Sequence, residues 1–301
     1  MSLEQELYEE KRRKLRRSSF FKGCLVTAAI IAIGLVFWNK DFMPSPHIAS
    51  YQVIGEIYDD PKRDAILNNI AENDHVYGLI VKINSPGGSV VGAEALYQSL
   101  RKVEARKPVV VLIGEVGASA AYIAALAGDV IYARGNSLVG SIGVIVQYPD
   151  LSQLAKNLGV SLTVIKSSEA KGGANFLKPM DKKLLQNQEL LVRDSFIWFK
   201  QLVSDRRALV GEDLENVSQG ELFTGRMALE LNLIDSIGSL DQAIEYLQSQ
   251  GKKFDDIEIK DWNQNENPKS LWNALFGLSN LNYFRNKIKF MQTPMLFSIV
   301  S

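Results

Sequence analysis

The chain has 301 residues, and its 46% hydrophobic content is typical of globular proteins and excludes a largely disordered chain. Lysine and arginine total 34, and so do aspartate and glutamate, so no excess of positive charge indicates a nucleic-acid partner. The length allows one large domain or two of ordinary size.

The N-terminal region combines a basic cluster with an uncharged apolar run. Residues 1–22 carry four acidic side chains and seven basic ones, Lys11, Arg12, Arg13, Lys14, Arg16, Arg17 and Lys22. The run Gly23–Trp38 follows, and Phe20 and Phe21 bring its helical length close to a bilayer core of roughly 30 Å. This pattern predicts a cytoplasmic N-terminus over 1–19 and a transmembrane signal anchor over 20–38.

Two other interpretations of this segment are a cleaved signal peptide and a buried core helix. No A-x-A-like cleavage site follows the run, and the preceding cations disfavour a place in a core. The anchor interpretation puts the remaining chain on the outer side of the membrane. Cys24, the only cysteine, lies within the anchor, so the outer domain has no intrachain disulfide.

Beyond a proline-containing linker over 39–47, strand-like and helix-like segments alternate, which predicts a layered α/β domain over 48–250. The predicted strands are Tyr51–Ile57, Gly78–Ile83, Val109–Ile113, Val130–Tyr132, Ile142–Val146 and Leu162–Ile165. The predicted helices are Pro61–Asn73, Val91–Ala105, Ala118–Leu126, Leu151–Leu158 and Lys182–Leu209, with two more beginning at Arg226 and Leu240.

Residues 251–301 differ in composition from the predicted domain and are interpreted as a C-terminal extension. An aromatic, amphipathic stretch near Leu271–Phe290 would suit a membrane surface or a partner protein. Packing against its own domain or a neighbouring subunit is the simpler alternative.

Three segments could carry chemistry. The turn N-S-P-G-G-S at 84–89 follows a predicted buried strand, and its glycines let a substrate backbone approach exposed N–H groups. Ser119, in G-A-S-A-A-Y at 117–122, stands at a predicted helix start among small residues, where it is either a helix cap or a nucleophile. The third segment, G-S-I-G-V at 140–144, precedes a loop with Lys166 and Lys171.

A serine nucleophile needs a base, and the chain offers few histidines for that role. His47 and His75 are the only two, and neither lies near a small-residue motif. This scarcity favours a lysine, which acts as a base only when neutral, so its pKa must fall from about 10.4 through burial.

Taken together, the motifs resemble the signal peptide peptidase A family of serine–lysine peptidases, in its short, single-domain form. The resemblance covers about Ile48 to Leu247, and its motifs occur in the family's order. They are N-S-P-G-G-S at 84–89, G-A-S-A-A-Y at 117–122, V-G-S-I-G-V at 139–144, I-K-S-S-E-A-K at 165–171 and G-R-x-A-x-x-x-x-L-I-D-x-x-G at 225–238. The implied fold is the ββα superhelical fold of the Clp proteases and crotonases.

The resemblance also implies a role for each matching residue. Ser119 would be the nucleophile, Lys171 the general base in preference to Lys166, and Ser141 the residue that orients the base. The backbone N–H groups of Gly88 and Ala120 would form the oxyanion hole. The chain departs from the family where Ala120 and Ala121 replace two glycines, and where Gly172 replaces a frequent acidic residue.

The resemblance further implies a bacterial inner-membrane protein that forms a ring-shaped homo-oligomer, in which one subunit's serine meets its neighbour's lysine. Its expected substrates are hydrophobic peptides, especially residual signal peptides, and its chemistry requires no metal or cofactor. Two alternatives stay open at this point: a crotonase-like acyl-CoA enzyme and a non-catalytic membrane scaffold.

Overall fold

The computed structural model describes residues 11, 12, 14, 16, 19–31, 45–168, 171–172 and 175–263. The chain divides into two compact units, Met1–Ser45 and Pro46–Ser301. In the first unit, residues 19–31 are helical and exposed, while 32–38 of the predicted anchor lie outside the described residues. Among the helices that the structure describes, none is long and apolar enough to span a bilayer.

The second unit is built on a mixed sheet of eight strands in the order β6-β5-β3-β2-β1-β8; off this path, β4 pairs with β3, and β7 pairs with β4. Its strands are β1 His47–Ile54, β2 Val76–Ser85, β3 Val109–Ala118, β4 Val130–Ala133, β5 Leu138–Gly140, β6 Leu222–Thr224, β7 Ser236–Ile237 and β8 Glu258–Asp261. All pairings are parallel except that of β5 with β6, which is antiparallel.

Helices connect the strands and cover the sheet. They are α1 Pro61–Glu72, α2 Val90–Glu104, α3 Ala120–Ala125, α4 Ser152–Asn157, α5 Lys182–Arg207, α6 Gly211–Val217, α7 Gly225–Glu230 and α8 Leu240–Ser249. Local sequence signals explain where the first of these helices begins. Pro61 opens α1, and the carboxylate of Asp60 accepts hydrogen bonds from the first N–H groups of that helix.

Strand β3 is the centre of the sheet. It pairs with β2 along one edge, while its other edge pairs first with β4, through Val110–Ile113, and then with β5, through Val116–Ala118. Its first residues are fully buried, as expected for an apolar, β-branched interior strand. The parallel strands β2, β3 and β5 therefore end side by side at one edge of the domain.

Two predicted strands are wrong. Residues 142–146 form no strand, because the pairing with β3 falls earlier in the chain, at β5. Residues 162–165 also lie outside the sheet, and Ile165 is 96% exposed, so an apolar β-branched run did not suffice to form a strand.

The alternating α/β architecture itself is confirmed, with most predicted helices starting within two residues of the observed position. The short strands β6 and β7 and the helix α6 were not predicted. Strand β8 lies in the segment interpreted as an extension, and it pairs with β1, which extends the sheet to Asp261. The aromatic stretch near Leu271–Phe290 lies outside the described residues.

Candidate active site

Three neighbouring strand ends bring the main site residues together. Ser119 directly follows β3, and Ser141 directly follows β5, which is paired with β3 up to Ala118 and Gly140. Gly88 lies three residues beyond the end of β2, which is paired with β3 on the other edge through Ser85 and Gly117. The carboxyl ends of parallel strands form a crevice, which is where ligands bind in such sheets.

Ser119 has a backbone conformation that is unfavourable for a serine. Its φ is 54° and its ψ is −121°, and its side chain makes no capping hydrogen bond to α3. Its N–H donates to the carbonyl of Gly140 at 2.8 Å, which joins it to the end of β5. Because such conformations persist only where the surroundings impose them, the helix-cap interpretation does not account for this serine.

Helix α3 is held rigidly behind Ser119. All six of its residues are buried, and the small side chains of Ala120 and Ala121 allow the helix to pack directly against the sheet. The fully buried Tyr122 donates its hydroxyl to the carbonyl of Leu233 at 2.7 Å. Burial raises the pKa of Tyr122, so the hydroxyl stays a neutral donor. The N–H of Ala120, first in the helix, is one of the donors that helix geometry leaves unpaired.

The turn after β2 depends on glycine. Ile57 forms an isolated parallel bridge with Gly88: its N–H donates to the carbonyl of Gly87 and its carbonyl accepts from the N–H of Ser89, both at 2.8 Å. A Cβ on Gly88 would lie 2.0 Å from the Ile57 carbonyl oxygen. Because the bonds of Ile57 go to the neighbours of Gly88, the N–H of Gly88 points away from Ile57, toward the β3 side.

Ser141 also has a positive φ, of 49°, directly after Gly140 with a φ of 101°. Its N–H donates to the carbonyl of Glu221 at 2.7 Å, just before β6. The chain thus turns sharply out of β5 beside the Ser119 backbone. This turn places Ser141 next to the predicted nucleophile.

The two candidate lysines lie on an exposed loop. Lys171 is exposed, and its N–H donates to the carbonyl of Ser168 at 3.1 Å, while Lys166 is exposed as well. No hydrogen bond between Ser119 and Lys171 is present among the described residues. The single chain therefore brings together Ser119, Ser141, Gly88 and Ala120. It does not show which residue acts as the general base.

Both histidines lie at the opposite end of the sheet. His47 begins β1 and His75 immediately precedes β2, whose ten residues span roughly 33 Å. The Nε2 atom of His47 accepts a hydrogen bond from the indole N–H of Trp262 at 3.1 Å. Neither histidine can therefore act as the base for Ser119 within this chain. No group of three or more potential metal-ligating side chains is found in the described part of the chain.

Sequence reasoning missed two residues at the site, Ile57 and Ser85. Ile57 holds the Gly87–Gly88 turn from a different loop, and no local signal indicates such a contact. Ser85 is fully buried, and its hydroxyl contacts both the N–H and the carbonyl of Gly87. Only its position inside the N-S-P-G-G-S motif could have indicated this role from the sequence.

Comparisons with known proteins agree with this geometry. The family model of peptidase family S49 matches residues 101–254, and the model of Clp protease matches residues 51–137. A predicted protease of Synechocystis is 32% identical over 248 residues, 80% of this chain and 87% of the relative. A predicted protease of Methanocaldococcus jannaschii is 29% identical over 271 residues, 85% of either chain. A predicted signal peptide peptidase of Enterococcus faecium is 26% identical over 210 residues, 68% of this chain and 60% of the relative.

Proposed function

The chain belongs to peptidase family S49, and from this membership we propose that it is a serine endopeptidase with Ser119 as nucleophile and Lys171 as general base. Proteolysis is the chemistry of the family. The observation that carries the role of Ser119 is its imposed conformation, with φ at 54°, where the ends of β2, β3 and β5 meet.

In the proposed reaction, the neutral ε-amine of Lys171 takes the proton of the Ser119 hydroxyl as Oγ attacks the substrate carbonyl carbon. The N–H groups of Gly88 and Ala120 would stabilise the resulting oxyanion. The tetrahedral intermediate collapses, the C–N bond breaks, and the lysine ammonium donates its proton to the leaving amine. Water, deprotonated by the same lysine, then hydrolyses the acyl-enzyme and restores the serine.

A second copy of the chain would supply what the base needs. A lysine base has to be removed from water, but the side chain of Lys171 is exposed in the single chain. Burial against a neighbouring subunit would provide the desolvation, and Ser141 would accept a hydrogen bond from the amine and orient it. We therefore infer a homo-oligomer, ring-shaped as the family resemblance implies, with active sites shared between subunits.

Exposed apolar side chains in the same region support this assembly. Between residues 145 and 176, ten large hydrophobic side chains are exposed: Ile145, Tyr148, Leu151, Leu154, Leu158, Val160, Leu162, Val164, Ile165 and Phe176. Exposed apolar side chains concentrated in this way are typical of protein–protein interfaces when they form one patch. The loop that carries Lys171 lies within this stretch of the chain.

We further propose that the chain is anchored in a membrane and that it cleaves hydrophobic peptides. The basic residues before the apolar run 20–38 favour a single-pass anchor in the bacterial inner membrane, with the catalytic unit on the extracytoplasmic side. An enzyme held there would meet hydrophobic peptides in or near the bilayer, such as residual signal peptides. The uncharged small residues around Ser119 suit extended peptides with small side chains at the cleavage site.

The decisive experiment measures hydrolysis of an apolar, internally quenched peptide by the detergent-solubilised oligomer. We expect Ser119→Ala and Lys171→Met to lose activity by a factor of about 10⁴ or more, because a missing nucleophile or base stops acyl transfer. Lys166→Met should retain activity and serves as the matched control for loss of a loop lysine.

Other outcomes would reject specific parts of the proposal. Full activity in Lys171→Met would remove that residue as the base, and full activity in Ser119→Ala would reject the serine mechanism. A wild-type oligomer that cleaves no peptide would favour the scaffold, and saturable binding of an acyl-CoA would favour the crotonase-like alternative. Size-exclusion chromatography of each variant shows whether the oligomer is intact.

A further inference from the structure

The peptide unit between Gly87 and Gly88 determines where the proposed oxyanion donor points. This unit is trans, so the carbonyl of Gly87 and the N–H of Gly88 lie in one plane and point in opposite directions. Whatever holds the Gly87 carbonyl therefore also holds the Gly88 N–H. The orientation of the proposed donor can be traced to the groups that bind that carbonyl.

Two donors hold the Gly87 carbonyl, one from the loop after β1 and one from the end of β2. The N–H of Ile57 donates to it at 2.8 Å, and the hydroxyl of Ser85 donates to it at 3.3 Å. The Ser85 oxygen also accepts from the N–H of Gly87 at 3.2 Å. One hydroxyl thus contacts both polar groups of Gly87.

Ser85 is well placed to restrain this turn because it is itself immobilised. Its exposed fraction is 0%, and it is paired with Gly117 of β3, two residues before Ser119. A register shift between Ile83 and Ser85 sets the end of β2 apart from the regular ladder. The side chain therefore acts from the same rigid sheet that carries the nucleophile.

The turn needs such a restraint because both of its central residues are glycines. The φ values of Gly87 and Gly88 are 126° and 157°, and a residue without a Cβ passes between backbone conformations at little steric cost. Rotation of the peptide unit would change the direction in which the Gly88 N–H points. That rotation must break the hydrogen bonds from Ile57 and Ser85 to the Gly87 carbonyl.

We propose that Ser85 is a positioning residue whose hydroxyl keeps the Gly87–Gly88 peptide unit in the orientation that directs the Gly88 N–H at the oxyanion. This inference rests on the proposed function, in which Gly88 supplies that donor. Ser85 touches no reacting atom. Its effect appears in transition-state stabilisation and not in the binding of the ground-state substrate.

The test compares Ser85→Ala with Ser137→Ala in the full-length, detergent-solubilised oligomer. Ser137 is the matched control, because it is also buried and its hydroxyl also binds backbone groups, namely the N–H of Arg134 and the carbonyls of Ile113 and Gly114. We expect kcat of Ser85→Ala to fall about 10- to 100-fold with KM unchanged, less than the about 100- to 1,000-fold cost of losing a donor outright. Ser137→Ala should keep its kcat.

A transition-state analogue separates positioning from a merely structural role. The inhibition constant of a peptide aldehyde, which forms a tetrahedral adduct with the serine, should rise in Ser85→Ala by the same factor as kcat falls. The constant of the matching non-covalent peptide amide should stay the same. Ser85→Cys, which keeps a weak donor and acceptor at the same position, should give intermediate values.

Three results would overturn the proposal. The first is an unchanged kcat in Ser85→Ala, and the second is an equal rise in the inhibition constants of the aldehyde and the amide. The third is unfolding of Ser85→Ala while Ser137→Ala stays folded, because Ser85 would then contribute to stability alone. The proposed function fails separately, through retained hydrolysis in Ser119→Ala. If Ser85→Ala has the kcat of the wild type while Ser119→Ala is inactive, only the role of Ser85 is rejected.

Discussion

At the scale of single residues, the site contains two serines with positive φ, Ser119 at 54° and Ser141 at 49°. A residue other than glycine in such a region costs on the order of 1–3 kcal/mol. The N–H of Ser119 donates to the carbonyl of Gly140, and the N–H of Ser141 donates to the carbonyl of Glu221. The surrounding sheet therefore stabilises two unfavourable turns side by side, which places both hydroxyl-bearing residues at one strand edge.

Gly88 gives a prediction at this scale. A Cβ there would lie 2.0 Å from the Ile57 carbonyl oxygen, so Gly88→Ala must displace the bridge between Ile57 and the turn. We expect its free energy of unfolding to fall by about 2–4 kcal/mol. Its kcat should fall at least about 100-fold, because the oxyanion donor moves. Urea unfolding followed by circular dichroism and peptide hydrolysis measure the two effects.

Gly211→Ala is the control, because Gly211 has a φ of 58° but nothing within 4 Å of an added Cβ. It should lose only about 1 kcal/mol through backbone strain and keep full activity. Equal effects in the two variants would show that strain, and not the contact with Ile57, requires a glycine at position 88.

At the scale of elements, helix α5 differs along its length. In its last third, Phe199, Val203 and Arg207 are buried against the domain. Earlier in the helix, Leu190 and Leu191 are 65% and 53% exposed. The end of the helix is thus an integral part of the fold, and its beginning adds to the exposed apolar surface attributed above to assembly.

Arg207 attaches the end of α5 to the sheet. Its guanidinium donates to the carbonyl of Asn232 at 2.6 Å and to the carboxylate of Asp235 at 2.9 Å, and Asp235 also accepts from the N–H of Ile131 at 2.7 Å. We expect Arg207→Met to lower the free energy of unfolding by about 2 kcal/mol, because partly buried acceptors lose a charged donor. Urea unfolding checks this value.

Lys200→Met is the control on the same helix, since Lys200 pairs with Glu215, which is 59% exposed. Exposed ion pairs contribute up to about 1 kcal/mol, so this variant should remain near the wild type. A loss as large as that of Arg207→Met would contradict the view that the buried contacts of Arg207 stabilise the fold more than an exposed ion pair of the same helix does.

At the scale of the whole molecule, the chain consists of two units, and the predicted anchor 20–38 lies within the first one. We expect the full chain to remain in the membrane fraction after alkaline carbonate extraction. The double variant Val26→Asp and Ile30→Asp should be extracted, because each aspartate at the centre of a spanning helix disfavours insertion by about 2.5–3.5 kcal/mol.

The double variant Val26→Leu and Ile30→Leu keeps the run apolar and should remain in the membrane fraction. Extraction of the unmodified chain would reject the anchor and leave the peptidase proposal intact. The two proposals are independent because the anchor rests on the first unit and the chemistry on the second.

Local patterns in the sequence predicted helices and strands correctly where these elements depend on interactions between near neighbours. Helix α1 begins at the proline that indicated it, and the apolar run at Val109 forms the central strand. The regions 142–146 and 162–165 have the same apolar character but form no strand. Pairing depends on which strand edge is available, and that is a property of the folded sheet.

The sequence by itself determined the α/β class, the position of Ser119 between a strand and a helix, and, through its motifs, the family. Only the tertiary structure decided that β2, β3 and β5 end side by side, that both histidines lie at the far end of the sheet, and that Ile57 holds the Gly87–Gly88 turn. Composition and local spacing report contacts between near neighbours. These three features arise from strand pairing between segments far apart in the chain, which only the folded sheet specifies.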